Sequence, residues 1–119
     1  MKSASVMVVE DEWVISQQIC GNLEEAGYNV CSTATTGEDA VRQAEASRPD
    51  VILMDIVLNG QLNGIDAAKS IGAQFDIPVI YLTAYPTQEF ISQAKETMPF
   101  GYLLKPFKQF FESGFRFHR

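Results

Sequence analysis

The sequence is poor in the features that mark secreted, stapled or membrane-spanning chains. It has two cysteines, Cys20 and Cys31. Their separation does not match metal-ligand spacing, and they read as small buried hydrophobes rather than as a disulfide framework. A reducing cytoplasm is therefore the expected setting. No apolar run approaches the roughly twenty residues of a membrane span. The N-terminus lacks the apolar core of a signal peptide, so a soluble, unanchored protein is expected. Histidine and tryptophan occur once each, as His118 and Trp13. His118, close to the chain end, reads as a solvated residue. Basic residues are scarce: nine against fifteen acidic ones give a net charge of -6. That balance disfavours nucleic acid as the main ligand, because phosphate backbones select basic surfaces. A basic or metal-bearing partner fits better. Low-complexity segments and linkers are absent. A chain of 119 residues is long enough for one domain and too short for two.

What is present is a rhythm. Short apolar runs recur at Val6 to Val9, Val51 to Met54, Val79 to Leu82 and Tyr102 to Leu104, with a weaker run at Tyr28 to Thr33. Continuous, β-branched runs of this length read as strands buried on both faces, as in a parallel sheet. Between them lie helical stripes. Ile15, Ile19, Leu23 and Ala26 share one face, and Gly27 reads as a stop. Ala40, Val41 and Ala44 make a second stripe, with Thr36 as N-cap and Asp39 as capping-box partner. Ile65, Ala68 and Ile71 make a third, and Phe90, Ile91 and Ala94 a fourth. Phe107, Phe110, Phe111 and Phe115 keep helical spacing, interrupted by Gly114 at a cost of about 1 kcal/mol relative to alanine. A short last helix over about 107–115, with a frayed end, is expected. Five βα repeats predict a doubly wound α/β fold: a five-stranded parallel sheet with helices on both faces.

Four features fall at the C-terminal ends of four strands: Glu10-Asp11, Asp55, Thr83 and Lys105-Pro106. In doubly wound sheets the ligand site lies outside the carboxyl ends of the strands, where strand order reverses. With order 2-1-3-4-5 the four features converge there. Glu10, Asp11 and Asp55, with Glu12 nearby, concentrate negative charge that a hard divalent cation would neutralise. Without Asp55, Glu10-Asp11-Glu12 reads as an acidic helix start. Asp55 closes an apolar strand, and a carboxylate there can act as a nucleophile toward phosphorus. Lys105 supplies a positive charge for phosphate oxygens. Thr83 supplies a hydroxyl, although taken alone it reads equally well as an ordinary strand residue. Pro106 would turn the chain and aim the lysine.

These residues together resemble the receiver domain of two-component response regulators. The matching segments are Val8 to Glu12, Ile52 to Ile56, Leu82-Thr83-Ala84 and Tyr102 to Phe107, and the resemblance covers about residues 5–110. It implies a flavodoxin-like fold, chemotaxis-regulator-like in type. It implies that Asp55 is the phospho-acceptor and that Glu10, Asp11, Asp55 and the backbone carbonyl of Val57 hold Mg²⁺ or Mn²⁺. Thr83 becomes the switch hydroxyl, Tyr102 the aromatic switch and Lys105 the phosphate contact, with Ala84 and Pro106 in support. The implied partner is a histidine kinase or phosphotransfer protein. The output domain or protein is unspecified, a homodimer is compatible, and neither nucleic acid nor membrane is contacted directly. The chain would catalyse only its own phosphorylation and dephosphorylation. Val57 and Tyr85, each two residues past a site residue, would shield the phosphoryl group from water and slow its loss.

The sequence departs from the family pattern in three places. Position 10 is Glu where many members carry Asp. The loop Ile56 to Gly64 carries two Asn-Gly pairs where many members carry a proline. The last helix is expected to be short, and the chain reads either as a stand-alone regulator or as one piece of a longer protein. Three other readings stand beside the receiver. A non-phosphorylated interaction module would not need Asp11, Asp55, Thr83 and Lys105 together. A phosphatase with an aspartate nucleophile would carry a second acid at position 57, which is Val. A flavodoxin-like cofactor binder would need a Ser/Thr/Gly-rich phosphate loop after the first strand, where Glu10-Asp11-Glu12 stands.

Overall fold

The apolar runs pair side by side. In a computed structural model, β1 (Ser5–Val9), β2 (Asn29–Ala34), β3 (Val51–Asp55), β4 (Val79–Thr83) and β5 (Gly101–Leu104) form one sheet in the order β2-β1-β3-β4-β5. All four pairings are parallel. The structure describes residues 4–56, 58, 62–83, 92, 93 and 95, and residues 101–104; of Thr83 and residues 101–104 it describes the backbone alone. The fourth apolar stripe, at Phe90, Ile91 and Ala94, and the last helix expected over about 107–115 lie outside the described residues. Ser92, Gln93 and Lys95 are helical and exposed.

Alternation along the strands divides the core in two. Val6, Val8, Val51, Leu53, Ile80 and Leu82 face one side and pack with Ile19, Cys20 and Leu23 of α1 (Trp13–Glu25). Met7, Val9, Ile52, Met54, Val79 and Tyr81 face the other, against α2 (Gly37–Ser47) and α3 (Gly64–Gln74). The sheet is thus covered on both faces, which is why β1 and β3 read as unbroken apolar runs. Burying each such branched side chain contributes about 1.5–3 kcal/mol. A residue that ends β3 is therefore anchored by a strand buried along its whole length.

Local signals set the helix starts. Thr36 caps α2, its Oγ1 accepting from the Asp39 N–H at 3.1 Å. The carboxylate of Asp39 binds Arg42 at 2.6 Å on the exposed face. Asn63 caps α3 in the same way, accepting from the Asp66 N–H at 2.9 Å. The second Asn-Gly pair of the β3–α3 loop is thus a cap and a first helical residue rather than a turn. Two expectations are corrected. The buried face of α1 is Ser16, Ile19, Cys20 and Leu23. Ile15 packs at its margin and Ala26 is the C-cap, while Ser16, a small polar residue that apolar counting misses, joins the buried face with Cys20. Of the two cysteines, Cys20 is buried but Cys31 is only partly so. Cys31 is the extra residue where the β1–β2 register slips between Val6 and Met7, and its thiol reaches the Val6 carbonyl oxygen at 3.6 Å.

The two ends of the sheet differ in chemistry. At the N-terminal end, the Asp50 carboxylate accepts from the Ser5 N–H at 2.8 Å and the Asp50 N–H donates to the Ser5 carbonyl at 2.9 Å. That pair closes the β1–β3 ladder. The C-terminal end carries the acidic cluster. Among the described residues, no helix is long and apolar enough to cross a membrane.

Candidate functional site

The ladders run one residue past the strands and so fix where the site begins. The Glu10 N–H donates to the Ala34 carbonyl at 3.0 Å, and the Ile56 N–H donates to the Leu82 carbonyl at 3.1 Å. Val9 is level with Met54, Asp55 with Leu82, and Thr83 with Leu104. Glu10, Asp55 and Thr83 consequently belong to one staggered edge, with Asp11 following Glu10. Tyr102 is level with Tyr81, two residues behind that edge. The side chains of Thr83 and Tyr102 lie outside what is described, as do Val57, Ala84, Lys105 and Pro106 entirely.

Three of the expected site residues meet. Glu10, Asp11 and Asp55 each present a carboxylate oxygen, and these atoms lie within 4.8 Å of one another. Glu10 is 1% exposed and Asp55 6%, while Asp11 is partly exposed. Two carboxylates at this separation repel by about 3–4 kcal/mol at an effective dielectric of about 20. Folding tolerates such a cluster when a counter-charge compensates it. The donor set consists of carboxylate oxygens, which suits a hard cation such as Mg²⁺ and not a thiolate- or imidazole-seeking metal. Three protein oxygens leave room for the waters that Mg²⁺ retains. Glu10, although longer than the Asp that many receiver domains carry at this position, brings its carboxylate into the same cluster.

Sequence reasoning missed the contacts that hold the acceptor from behind. The start of α3 abuts the Asp55–Ile56 peptide. The Gly64 N–H donates to the Ile56 carbonyl at 2.9 Å. A Cβ on Gly64 would overlap the Asp55 carbonyl oxygen, and would lie 2.8 Å from its carbon and 3.0 Å from the Ile56 Cα. Just before it, Leu62 donates its N–H to the Glu38 carboxylate at 2.7 Å. Leu62 also sits where a Cβ on Gly37 would have to be, 2.6 Å from its own Cβ. The sequence signal for this was the glycine in Asn63-Gly64, whose close approach to the strand depends on the fold.

Comparison with known proteins agrees with this geometry. The response regulator receiver domain family matches residues 6–110. The transcriptional regulatory protein PdtaR of Mycobacterium tuberculosis is 34% identical over 102 residues, covering 86% of this chain and 49% of that protein. The phyllosphere-induced regulator PhyR of Methylorubrum extorquens is 35% identical over 107 residues, covering 89% of this chain and 39% of its own. The chain thus spans about half or less of these relatives. Among solved structures, the signal receiver domain of a modulated diguanylate cyclase from Desulfovibrio desulfuricans superposes with a TM-score of 0.84 at 38% identity, covering 88% of this chain and 83% of that one. The receiver domain of the sensor histidine kinase PA1611 from Pseudomonas aeruginosa, solved with a magnesium ion in its active-site cleft, gives 0.82 at 34% identity, covering 94% and 93%. Aspartate phosphorylation and Mg²⁺ coordination are general properties of receiver domains. With its parallel sheet, its acidic edge and a match across nearly its whole length, the chain belongs to the response regulator receiver domain family of two-component signalling.

Proposed function

We propose that Asp55 is the phospho-acceptor of this domain, with Glu10, Asp11 and the Val57 carbonyl as its Mg²⁺ (or Mn²⁺) partners. The observation that carries the reading is the meeting of Glu10, Asp11 and Asp55 at the C-terminal sheet edge. An Asp55 oxygen attacks phosphorus, the bond from phosphorus to the donor's imidazole nitrogen breaks, and the imidazole leaves with the electron pair and is reprotonated. Bound Mg²⁺ would neutralise the clustered carboxylates and the phosphoryl oxygens. Asp55 contributes the nucleophile, held by the backbone bonds on either side of it. Lys105 and Thr83 would bind phosphoryl oxygens, Tyr102 would follow Thr83, and Ala84 and Pro106 would set the local backbone.

The donor is a histidine kinase or phosphotransfer protein, and residues 1–119 form a single receiver domain working in the cytoplasm. The chain is a signalling switch that catalyses only its own phosphorylation and dephosphorylation. Its partners are proteins, a second copy of itself being one option, and not nucleic acid or membrane. The test is beryllofluoride with Mg²⁺, followed by ¹⁹F and backbone amide resonances. Wild type should take up the fluoride complex and Asp55→Asn should not. No uptake by wild type would sink the reading.

A further inference from the structure

We infer that Gly64 and Glu38 are positioning residues for the reaction at Asp55, an inference that rests on the acceptor role proposed above. The argument starts from the backbone of Gly64. Among the described residues the glycine with positive φ is Gly27, not Gly64, so many residues could adopt the Gly64 conformation. What position 64 requires is empty space. A methyl group there would occupy the place of the Asp55 carbonyl oxygen and crowd the Ile56 Cα. Rigid strand lies on the other side of that carbonyl, because the next residue is tied to β4 through the Ile56 N–H.

Glu38 acts on the same segment from the opposite end. It lies in the first turn of α2 and accepts the Leu62 N–H at 2.7 Å. Leu62 is pressed against Gly37, and Asn63 and Gly64 follow it directly into α3. The chain that returns from the acceptor to α3 is therefore held by α2 at Leu62 and by the acceptor peptide itself at Gly64. Phosphoryl transfer depends on alignment, and displacement by about 1 Å can cost a hundredfold in rate. A shift of the Asp55 backbone moves its carboxylate relative to Glu10 and Asp11, so metal affinity and phosphoryl uptake should fall together.

The test compares the full chain with Gly64→Ala, Glu38→Ala, Glu38→Gln and Ile71→Val. Ile71 is fully buried on the same helix, about two turns beyond Gly64, so Ile71→Val reports what a plain loss of packing does. Mg²⁺ affinity is read by calorimetry, phosphorylation by acetyl phosphate on phosphate-affinity gels, and stability by thermal unfolding. Gly64→Ala should lose about tenfold or more in both Mg²⁺ affinity and labelling rate, on the scale set by misalignment. Glu38→Ala, at an exposed position, should fold normally and lose about two- to fivefold in both, less than the roughly 10–100-fold typical of groups that orient metal ligands directly. Glu38→Gln retains an acceptor for the Leu62 N–H and should behave as wild type. If Gly64→Ala does not fold, the two Glu38 variants decide. Wild-type affinity and rate in Glu38→Ala and in any folded Gly64→Ala, or equal losses in Ile71→Val, would overturn the inference. Failure of wild type itself to label, with Asp55→Asn as reference, would remove the acceptor reading and this inference with it.

Discussion

The carbonyl oxygen of Asp55 occupies the space that a Cβ on Gly64 would need. End of strand and start of helix touch backbone to backbone, and the same economy of space recurs where Gly37 meets Leu62. Four of the described glycines therefore fall into two groups, Gly37 and Gly64 against Gly21 and Gly72, that respond to substitution with opposite sign.

Gly37→Ala should destabilise the fold by about 1–3 kcal/mol, since the new methyl meets both the side chain and the backbone of Leu62. Gly21→Ala and Gly72→Ala meet nothing within 4 Å on exposed helix faces. Each should stabilise by about 0.5–1 kcal/mol through helix propensity. Urea unfolding of the three variants checks the signs, and stabilisation by Gly37→Ala would contradict the packing described.

The carboxylate cluster makes stability and metal binding oppose one another. Neutralising one of three mutually repelling charges should help the metal-free protein. Asp11→Asn should gain about 1 kcal/mol or more in chelator, given repulsions of about 3–4 kcal/mol per pair before solvent relaxation. In 10-millimolar-scale Mg²⁺ the order should reverse, because only the wild type gains fully from linkage to the bound cation. Unfolding with and without Mg²⁺ reads both halves.

Trp13 offers a direct optical signal. It follows the acidic segment at the first residue of α1 and is 71% exposed, with Val14 beside it at 61%. Its fluorescence should change on Mg²⁺ addition in wild type and not in Asp11→Asn. A flat wild-type titration to tens of millimolar would count against a metal next to it.

The two thiols should be distinguishable. Burial pushes the Cys20 thiol above its ordinary value of 9.0, with a Ser16 hydrogen bond partly opposing and Glu24 reinforcing the rise. A neutral maleimide should label Cys31 first and Cys20 only on unfolding. The sign for stability follows from linkage. Above the unfolded value the unfolded chain has released the Cys20 proton while the folded chain keeps it, so stability declines as pH rises from there toward the folded value. Cys20→Ala should flatten that decline, visible in unfolding midpoints between about pH 8 and 10.

Much of this was legible from residue order alone. Unbroken apolar runs such as Val51 to Met54 can be read as doubly covered strands because both faces demand the same chemistry. Asp55, Glu10 and Asp11 could be brought together because parallel topology puts every strand's C-terminal end at one edge. Less legible was anything decided by shape rather than polarity. Ser16 fills one side of the α1 face without announcing itself as core, whereas Cys20 was readable as buried. Cys31 absorbs a register slip that no periodicity contains. The role of Gly64 was hidden because its requirement for space depends on a carbonyl nine positions earlier in the chain.

Asp50 and Asp55 flank the same apolar run, yet one fastens the sheet at its far end and the other joins the carboxylate cluster at its C-terminal edge. The tie between Ser5 and Asp50 lies a full strand length from the carboxylate cluster. Loss of that tie, as in Asp50→Ala, should therefore weaken the fold more than it disturbs the carboxylate cluster, because each end is bonded locally. A protein built this way keeps what fastens its sheet at one pole and its clustered charge at the other.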